Sequence, residues 1–308
     1  MREEPESLSR VVAAGRASTL LTFTGQIGGR AVAAACYLHA AVLNRIGCCS
    51  RGRTPVPLLK KIACFLARYS EGLRLAVQHG PRSGRVCEYA CHNEPQGNGV
   101  LGRLIDQVFL RSRAWDGLRQ RVGTTKALVA EVVGGRRAAQ QSTMILDIAA
   151  GTARYLREFA REQGGDDLII AAHDRDPREV VLGRKLVAAE GLSNFTFAVG
   201  DATDHSSYLT SRDPDIILAV GLFAHLQRDA AVRTVMRLSF SHLSPGGCFI
   251  CTTLTGAHAR DPDAFGARPA VRSPETIAAW LRETGFVRID QRFSQPQGFA
   301  LIGSKPVS

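Results

Sequence analysis

Residues 145–154 contain the residue types of a ligand-binding turn. The segment reads Ile-Leu-Asp-Ile-Ala-Ala-Gly-Thr-Ala-Arg, an apolar strand that ends in an acid, followed by small residues and the start of a helix. Small residues let the backbone approach a ligand at the carboxyl end of a first strand, where open α/β sheets bind their ligands. The nicotinamide fingerprint G-x-G-x-x-G is absent, because Ala149 and Ala153 flank Gly151. No G-K-[S/T] of a phosphate-binding loop follows.

Asp147 and Gly151 fit the form D-x-x-x-G-x-G, and Ala153 departs from it at the last glycine. In this respect the sequence resembles the first motif of class I S-adenosylmethionine-dependent methyltransferases. The resemblance implies S-adenosylmethionine as the cofactor and an α/β fold, a doubly wound, Rossmann-like sheet of seven strands. It also implies cofactor contacts from this turn, made by Asp147, Ala149, Gly151 and Thr152.

Later segments fall where the resemblance requires further cofactor residues. His173-Asp174-Arg175-Asp176 supplies an acid for both ribose hydroxyls, 23 residues after Gly151. Gly200-Asp201-Ala202 supplies a carboxylate for the adenine amino group and a small residue beneath the ring. The cofactor residues implied in these segments and after the fourth strand are Asp174, Arg175, Asp201, Ala202, Gly221 and Leu222. The structural alternative is that Asp147 braces the sheet and that Asp174 and Asp201 merely end strands.

A closer resemblance covers residues 70–308. It is to a bacterial methyltransferase family whose members often occur fused behind a serine-hydrolase domain, which we do not expect in this chain. After strands four and five the family has Ser-Gly-Leu-Tyr-Glu and Pro-Trp-His-Pro-Gln; this chain keeps only a glycine-leucine pair and a histidine there. The matching segments are Ser70-Glu71-Gly72-Leu73-Arg74-Leu75, Glu88-Tyr89, Asn93-Glu94-Pro95-Gln96-Gly97, Gly102-Arg103-Leu104-Ile105-Asp106 and Trp115-Asp116-Gly117-Leu118-Arg119-Gln120-Arg121.

Two histidines are candidates for proton transfer during methylation. Methyl transfer from a sulfonium is an in-line displacement, so positioning matters most and a base is optional. His258 lies between the fifth strand and the next helix, and His225 follows the fourth strand. A solvated or capping histidine is the alternative for each.

The segment before the sheet is expected to cover the cofactor and supplies Tyr89, Trp115, Arg119 and Arg121. We expect Arg121 or Arg119 to pair bidentately with the cofactor carboxylate. A surface arginine is the alternative.

Short β-branched runs alternate with segments of helical period from residue 143 onward, which is typical of a parallel sheet covered on both faces. The predicted strands are 143–148, 168–172, 195–199, 215–220, 248–253, 287–293 and 299–303. The predicted helices between them are 154–162, 177–189, 229–242 and 274–284. One more helix, 124–133, should end at Gly134-Gly135, and residues 58–121 should form helical pieces broken at 80–81 and 95–99.

Three regions follow from this pattern: a basic, helical N-terminal segment and linker (1–57, the linker from 47), a helical cap region (58–122) and a cofactor-binding domain (123–308). The 308 residues with 45% hydrophobic content exclude disorder over most of the chain. Residues 1–140 hold 21 basic and 9 acidic side chains, whereas residues 141–308 hold 18 and 19. Two explanations fit the excess of basic side chains in residues 1–140. One is an arginine-rich composition, and the other is a surface for nucleic acid, an anionic membrane or an acidic partner.

The acids at residues 3, 4 and 6 are unlike a secretory signal, so we expect a cytoplasmic protein. The eight cysteines are expected to be reduced. Cys248 and Cys251 should point to opposite faces of a strand, and Cys87, Cys91 and His92 lack a fourth ligand, so no metal site is expected.

The favoured function is methyl transfer to a small molecule, such as a biosynthetic or lipid-like intermediate. A nucleic-acid methyltransferase is the first alternative, although the segment 219–222 lacks the [N/D/S]-P-P-[Y/F] pattern of enzymes that methylate base amines. The others are a protein of this fold that uses the cofactor for a different reaction and one that only binds it.

Overall fold

The computed structural model describes residues 56–81, 83–254, 269–295 and 298–307. Four helices come first and form what we call the cap. They are α1 (Val56–Leu66), α2 (Glu71–His79), α3 (Gly84–His92) and α4 (Gly99–Leu110). The predicted breaks at 80–81 and 95–99 are confirmed, whereas the predicted linker 47–57 overlaps the first two residues of α1. The rest of that linker and the predicted N-terminal segment before it lie outside the described residues.

A seven-stranded sheet follows, with helices between its strands. The strands are β1 (Thr143–Asp147), β2 (Leu168–Asp174), β3 (Phe195–Val199), β4 (Ile216–Val220), β5 (Cys248–Thr253), β6 (Val287–Gln295) and β7 (Gly298–Ser304). The helices are α5 (Arg113–Ala138), α6 (Arg154–Gln163), α7 (Pro177–Ala189), α8 (Asp229–His242) and α9 (Pro274–Thr284). The sequence predicts each strand and α6 to α9 to within about two residues.

The strand order is β3-β2-β1-β4-β5-β7-β6. The first five strands pair in parallel, and β7 runs antiparallel between β5 and β6. The order reverses between β1 and β4, so the carboxyl ends of these strands flank the crevice in which such sheets bind ligands. The predicted α/β fold class is confirmed.

Two apolar layers cover the sheet. Alternate β1 side chains face opposite layers, Met144 and Leu146 on the side of α8 and α9, and Ile145 on the side of α5 to α7. Cys248 and Cys251 likewise point to opposite layers, as predicted, and burial raises the pKa of both thiols to about 12. These residues serve packing.

Helix α5 differs from the prediction. A single helix of 26 residues replaces the predicted helix 124–133 and runs through Gly134 and Gly135. Neither glycine would meet another atom if it carried a Cβ. Val129 and Val133 hold this part of α5 against the sheet, so tertiary packing overrides the low helix propensity of glycine. The predicted boundary between residues 122 and 123 lies inside this continuous helix.

A buried carboxylate connects the cap helices. Asp106 of α4 is fully buried and accepts hydrogen bonds from Ser70 Oγ (2.5 Å), Gly72 N (3.0 Å), Tyr89 Oη (2.5 Å) and Gln96 N (3.1 Å). The donors come from the start of α2, from α3 and from the loop before α4. Four donors on two oxygens satisfy a charge that would otherwise be costly to bury.

Among the described residues, no helix is both long and apolar enough to cross a bilayer.

Candidate functional site

The turn after β1 has the geometry expected of a ligand-binding loop. Gly151 has φ +55°, and Ala153 has φ +50° at the position where the motif has its last glycine. A left-handed alanine is strained, so the departure from the motif leaves the backbone shape in place at some cost. A Cβ on Gly151 would lie 3.4 Å from the Cα of Gly84, so α3 of the cap begins directly above the turn.

Asp147 lies at the base of this turn and is fully buried. Its Oδ1 accepts from Ala149 N at 3.1 Å, and its Oδ2 accepts from Tyr155 Oη at 2.5 Å. Burial raises the pKa of Asp147 to about 7, with Asp174 adding to the rise, while the two hydrogen bonds oppose it. These contacts fix the shape of the turn, and a direct cofactor contact by Asp147 stays a prediction.

Asp174 ends β2 beside the turn. Its Oδ2 accepts from Gly151 N at 2.7 Å and its Oδ1 from Asp176 N at 2.9 Å. The predicted ribose-binding acid and the predicted glycine therefore meet in one place. Each oxygen retains a lone pair for a further donor.

Asp201 follows β3 one strand further along the same edge, where Gly200 N donates to Asp174 O at 3.1 Å. Its Oδ1 accepts from the amide (2.8 Å) and hydroxyl (2.7 Å) of Thr203. These bonds, and to a smaller extent the charge of the exposed Arg175, lower the pKa of Asp201 and keep it ionised. Ala202 is buried beside it, and its carbonyl accepts from Tyr208 Oη at 2.8 Å.

Gly221 and Leu222 follow β4 on the other side of β1. Gly221 has φ +72°, and its N–H donates to Thr252, to the carbonyl at 3.0 Å and to the hydroxyl at 2.9 Å. His225 lies just beyond, exposed at the end of a short 3₁₀ turn. Its catalytic role stays a prediction, and His258 lies outside the described residues.

Glu88 of α3 attaches the cap to the turn. Its carboxylate accepts from Thr152 Oγ1 at 2.7 Å, from Arg154 Nη1 at 2.9 Å and from Arg157 Nη2 at 2.9 Å. Arg157 is buried and also donates to the carbonyl of Thr152 and to Glu190. The Thr152 hydroxyl, predicted to contact the cofactor, is therefore engaged with the cap.

Tyr89 and Arg119 are also engaged inside the cap. Tyr89 Oη donates to Asp106 and accepts from Gln96 N at 3.0 Å, so its hydroxyl does not face the turn. Arg119 donates to the carbonyls of Ala90 (2.8 Å) and Leu110 (3.0 Å) and pairs with Asp116. The cofactor contacts expected of Tyr89 and Arg119 stay predictions.

Arg121 lies between α3 and the start of β7. Its Cδ is 3.9 Å from the position of a Cβ on Gly298, and burial lowers the pKa of its guanidinium, opposed by the nearby thiols of Cys87 and Cys91. No carboxylate pairs with it within the described part of the chain. Of the two arginines, Arg121 is the one that keeps its guanidinium available for an anion.

Two carboxylates at this site were missed from the sequence. Glu88 was noted only as part of a resemblance, and Glu179 of α7 was not singled out. Glu179 is buried, which raises its pKa, and no described residue donates to its Oε2. A Cβ on Gly84 would be 2.6 Å from that oxygen, so Glu179 lies under the start of α3. The signal available in the sequence for Glu88 was its position four residues after Gly84, at which α3 begins.

The residues at this edge suit a nucleoside that carries a cation. Asp174 and Asp201 offer unused acceptor capacity to hydroxyl and amine donors at adjacent strand ends. Gly151 and the small Ala202 leave the backbone accessible between them. The donor and acceptor types present therefore fit S-adenosylmethionine.

The sheet order with an antiparallel seventh strand and the acids at its carboxyl edge define a class I S-adenosylmethionine-dependent methyltransferase. Residues 56–259 match the family described as "Putative methyltransferase", and the chain belongs to that family. The predicted class and its cofactor, S-adenosylmethionine, are confirmed. The association with serine hydrolases stays a prediction.

The chain is similar to three further proteins. It is 28% identical to the uncharacterized protein YnbC of Escherichia coli K12 over 78% of this chain, and it spans only 44% of that protein. It shares its fold with a possible exported protein of Bordetella parapertussis, at 18% identity and TM-score 0.62, over 91% of this chain and 99% of the other. A complex of Haemonchus contortus phosphoethanolamine N-methyltransferase 2 with S-adenosylmethionine has TM-score 0.44 and 17% identity, over 54% of this chain and 49% of the other.

Proposed function

We propose that this chain transfers the methyl group of S-adenosylmethionine to a small-molecule acceptor. The observation that carries the proposal is the placement of α3. Gly84 lies against Gly151, and Glu88 holds the helix there through Thr152, Arg154 and Arg157. A helix fixed over the turn leaves less room for a folded macromolecule than for a small acceptor.

The chain's own residues bind and orient. Asp174 accepts from the ribose hydroxyls and Asp201 from the adenine amino group, with Ala202 beneath the ring. Asp147 shapes the turn, and Arg121 pairs with the cofactor carboxylate. When bound, the cofactor supplies an electrophilic methyl group.

Transfer then depends on alignment and on the exclusion of water. The cap supplies the exclusion. His225, or His258, takes the proton from a hydroxyl or ammonium acceptor. A cytoplasmic location belongs to the same proposal.

A labelled-methyl assay tests the reaction. The full chain is incubated with methyl-labelled cofactor and either a small-molecule extract or total RNA. We expect label in the small-molecule fraction. Label in RNA overturns the acceptor class, and cofactor binding without label in either pool overturns methyl transfer.

Cofactor binding by Asp174 is tested separately by calorimetry. Asp174→Asn is expected to weaken cofactor binding about tenfold or more, because hydrogen bonds to a charged group are lost. Asp166→Asn is the matched control, since this exposed acid precedes β2 at the opposite edge of the sheet. Equal affinities of the two variants would remove Asp174 from the site.

A further inference from the structure

The cap carries a group of exposed apolar side chains on one face. On α4, Val100 and Leu101 share a face with Leu104, because positions three and four apart lie together on a helix. Phe65 and Tyr69 lie at the end of α1 and just beyond it, with ring centroids 6.1 Å apart. The exposed fractions are 64% for Val100, 55% for Leu101, 47% for Leu104, 56% for Phe65 and 39% for Tyr69. We call these five residues the apolar cap face.

The two parts of the apolar cap face adjoin each other. Asn98 N donates to Tyr69 O at 2.8 Å, directly before α4 begins. A Cβ on Gly102 would be 2.3 Å from the same carbonyl, so the first turn of α4 rests on the backbone of Tyr69. Large exposed side chains gathered in this way mark interaction sites more often than singly scattered ones.

The charge around this face has one sign. Residues 61–70 and 97–105 contain Lys61, Arg68 and Arg103 and no acid. The guanidinium of Arg68 lies over the Phe65 ring, 5.8 Å from its centroid.

The acids that directly follow these two segments in the sequence, Glu71 and Asp106, do not offset this charge. Glu71 at the start of α2 is paired with Arg74 at 2.5 Å. Asp106 on α4 is fully buried among its four donors. The face is therefore apolar and aromatic within a basic surround.

We infer that the apolar cap face docks on the surface of an anionic lipid bilayer. Apolar side chains that enter the headgroup boundary, with basic side chains beside them, are the two components of interfacial binding. A second copy of this chain would bring like charges together. Residues 1–55, with seven basic and three acidic side chains, have the same sign. Charge complementarity thus selects an anionic occupant.

This surface is separate from the cofactor site, and the inference stands without the proposed methyl transfer. The turn after β1 is covered by α3, whereas the apolar cap face belongs to α1 and α4.

Vesicle sedimentation tests the inference with the full chain. Vesicles of phosphatidylcholine alone are compared with vesicles containing phosphatidylglycerol, at low and high salt. We expect binding to the anionic vesicles, at least tenfold stronger than to the neutral ones and weakened by salt. Equal binding to both compositions, or no binding, overturns the inference.

Variants locate the contact. Leu101→Ser combined with Arg103→Glu should reduce vesicle binding about tenfold or more. The matched control is Leu209→Ser with Arg161→Glu, an exposed pair on the sheet region, and should bind like the parent chain. Equal effects of the two pairs overturn the assignment to the cap.

Two further readouts separate other outcomes. Cofactor affinity by calorimetry should be unchanged in both pairs, which shows that the variants fold. Sedimentation velocity without lipid should show no dimer. A dimer that Leu101→Ser dissolves, with no vesicle binding, would assign the face to a second copy and overturn the lipid proposal.

Discussion

The cap and the sheet are held together by different physical means. The sheet is enclosed by two apolar layers, to which many side chains contribute. The cap has a small apolar cluster around Tyr89, Ala90 and Leu110, and its helices converge on the carboxylate of Asp106. A region built on one polar centre should lose its local order when that centre is substituted. A substitution in a layered core should instead lower the stability of the whole sheet.

The largest expected effect comes from a large core side chain of the sheet. Phe159→Ala should lower the free energy of unfolding by about 3–5 kcal/mol, since it leaves a cavity beneath the sheet. Urea denaturation measures this, with Ile169→Ala as the control because that side chain is partly exposed. The transition should stay cooperative. A loss of structure confined to the cap would contradict the description of the sheet as enclosed by two apolar layers.

The converse change is made in the cap. Asp106→Asn keeps the shape of the side chain but places an amide N–H group against the hydrogen-bond donors that surround Asp106. It should lower the free energy of unfolding by about 2–4 kcal/mol. Hydrogen exchange should show faster exchange in α2, α3 and α4 and little change in β1 to β5. Asp116→Asn, at an exposed ion pair, should cost less than about 1 kcal/mol. Uniform exchange across both regions would show that the cap has no separate centre.

The next comparison uses pH. Because the pKa of Asp147 is raised to about 7 in the folded chain, its carboxyl holds a proton that the unfolded chain releases near pH 4. Its contribution to stability is therefore greatest in acid and is lost as pH rises from about 4 to about 7, at most about 1.4 kcal/mol per pH unit. Denaturation of the parent chain and Asp147→Asn at several pH values should show this difference in slope. Parallel curves would contradict it.

The smallest effect concerns the contact between the two regions. Glu88→Gln should reduce cofactor affinity several-fold, because α3 is held less firmly over the turn while both regions stay folded. Calorimetry measures the affinity, and Glu94→Gln serves as the control, since Glu94 is exposed in the loop after α3 and pairs only with His92 among the described residues. An unchanged affinity would show that the attachment is not needed for binding.

The same contrast explains what the sequence could predict. The strands and α6 to α9 were predicted because β-branched runs, segments of helical period and the first-turn prolines of α7 and α9 are local signals. Asp174 and Asp201 follow because parallel strands end at one edge. The hydrogen bonds to Asp106 were not predicted, since its donors are distant in sequence: Ser70 lies 36 residues from Asp106 and Tyr89 lies 17 residues from it. Nor could the sequence predict that the hydroxyls of Tyr89 and Thr152 donate to Asp106 and Glu88. Their partners come from elements whose relative placement no local pattern encodes.

Helix α5 connects the cap to the sheet without a break. Its 26 residues span roughly 39 Å, beginning beside the cap and ending at the sheet, with no proline to bend it. A hinge between residues 122 and 123 would have to break this rod.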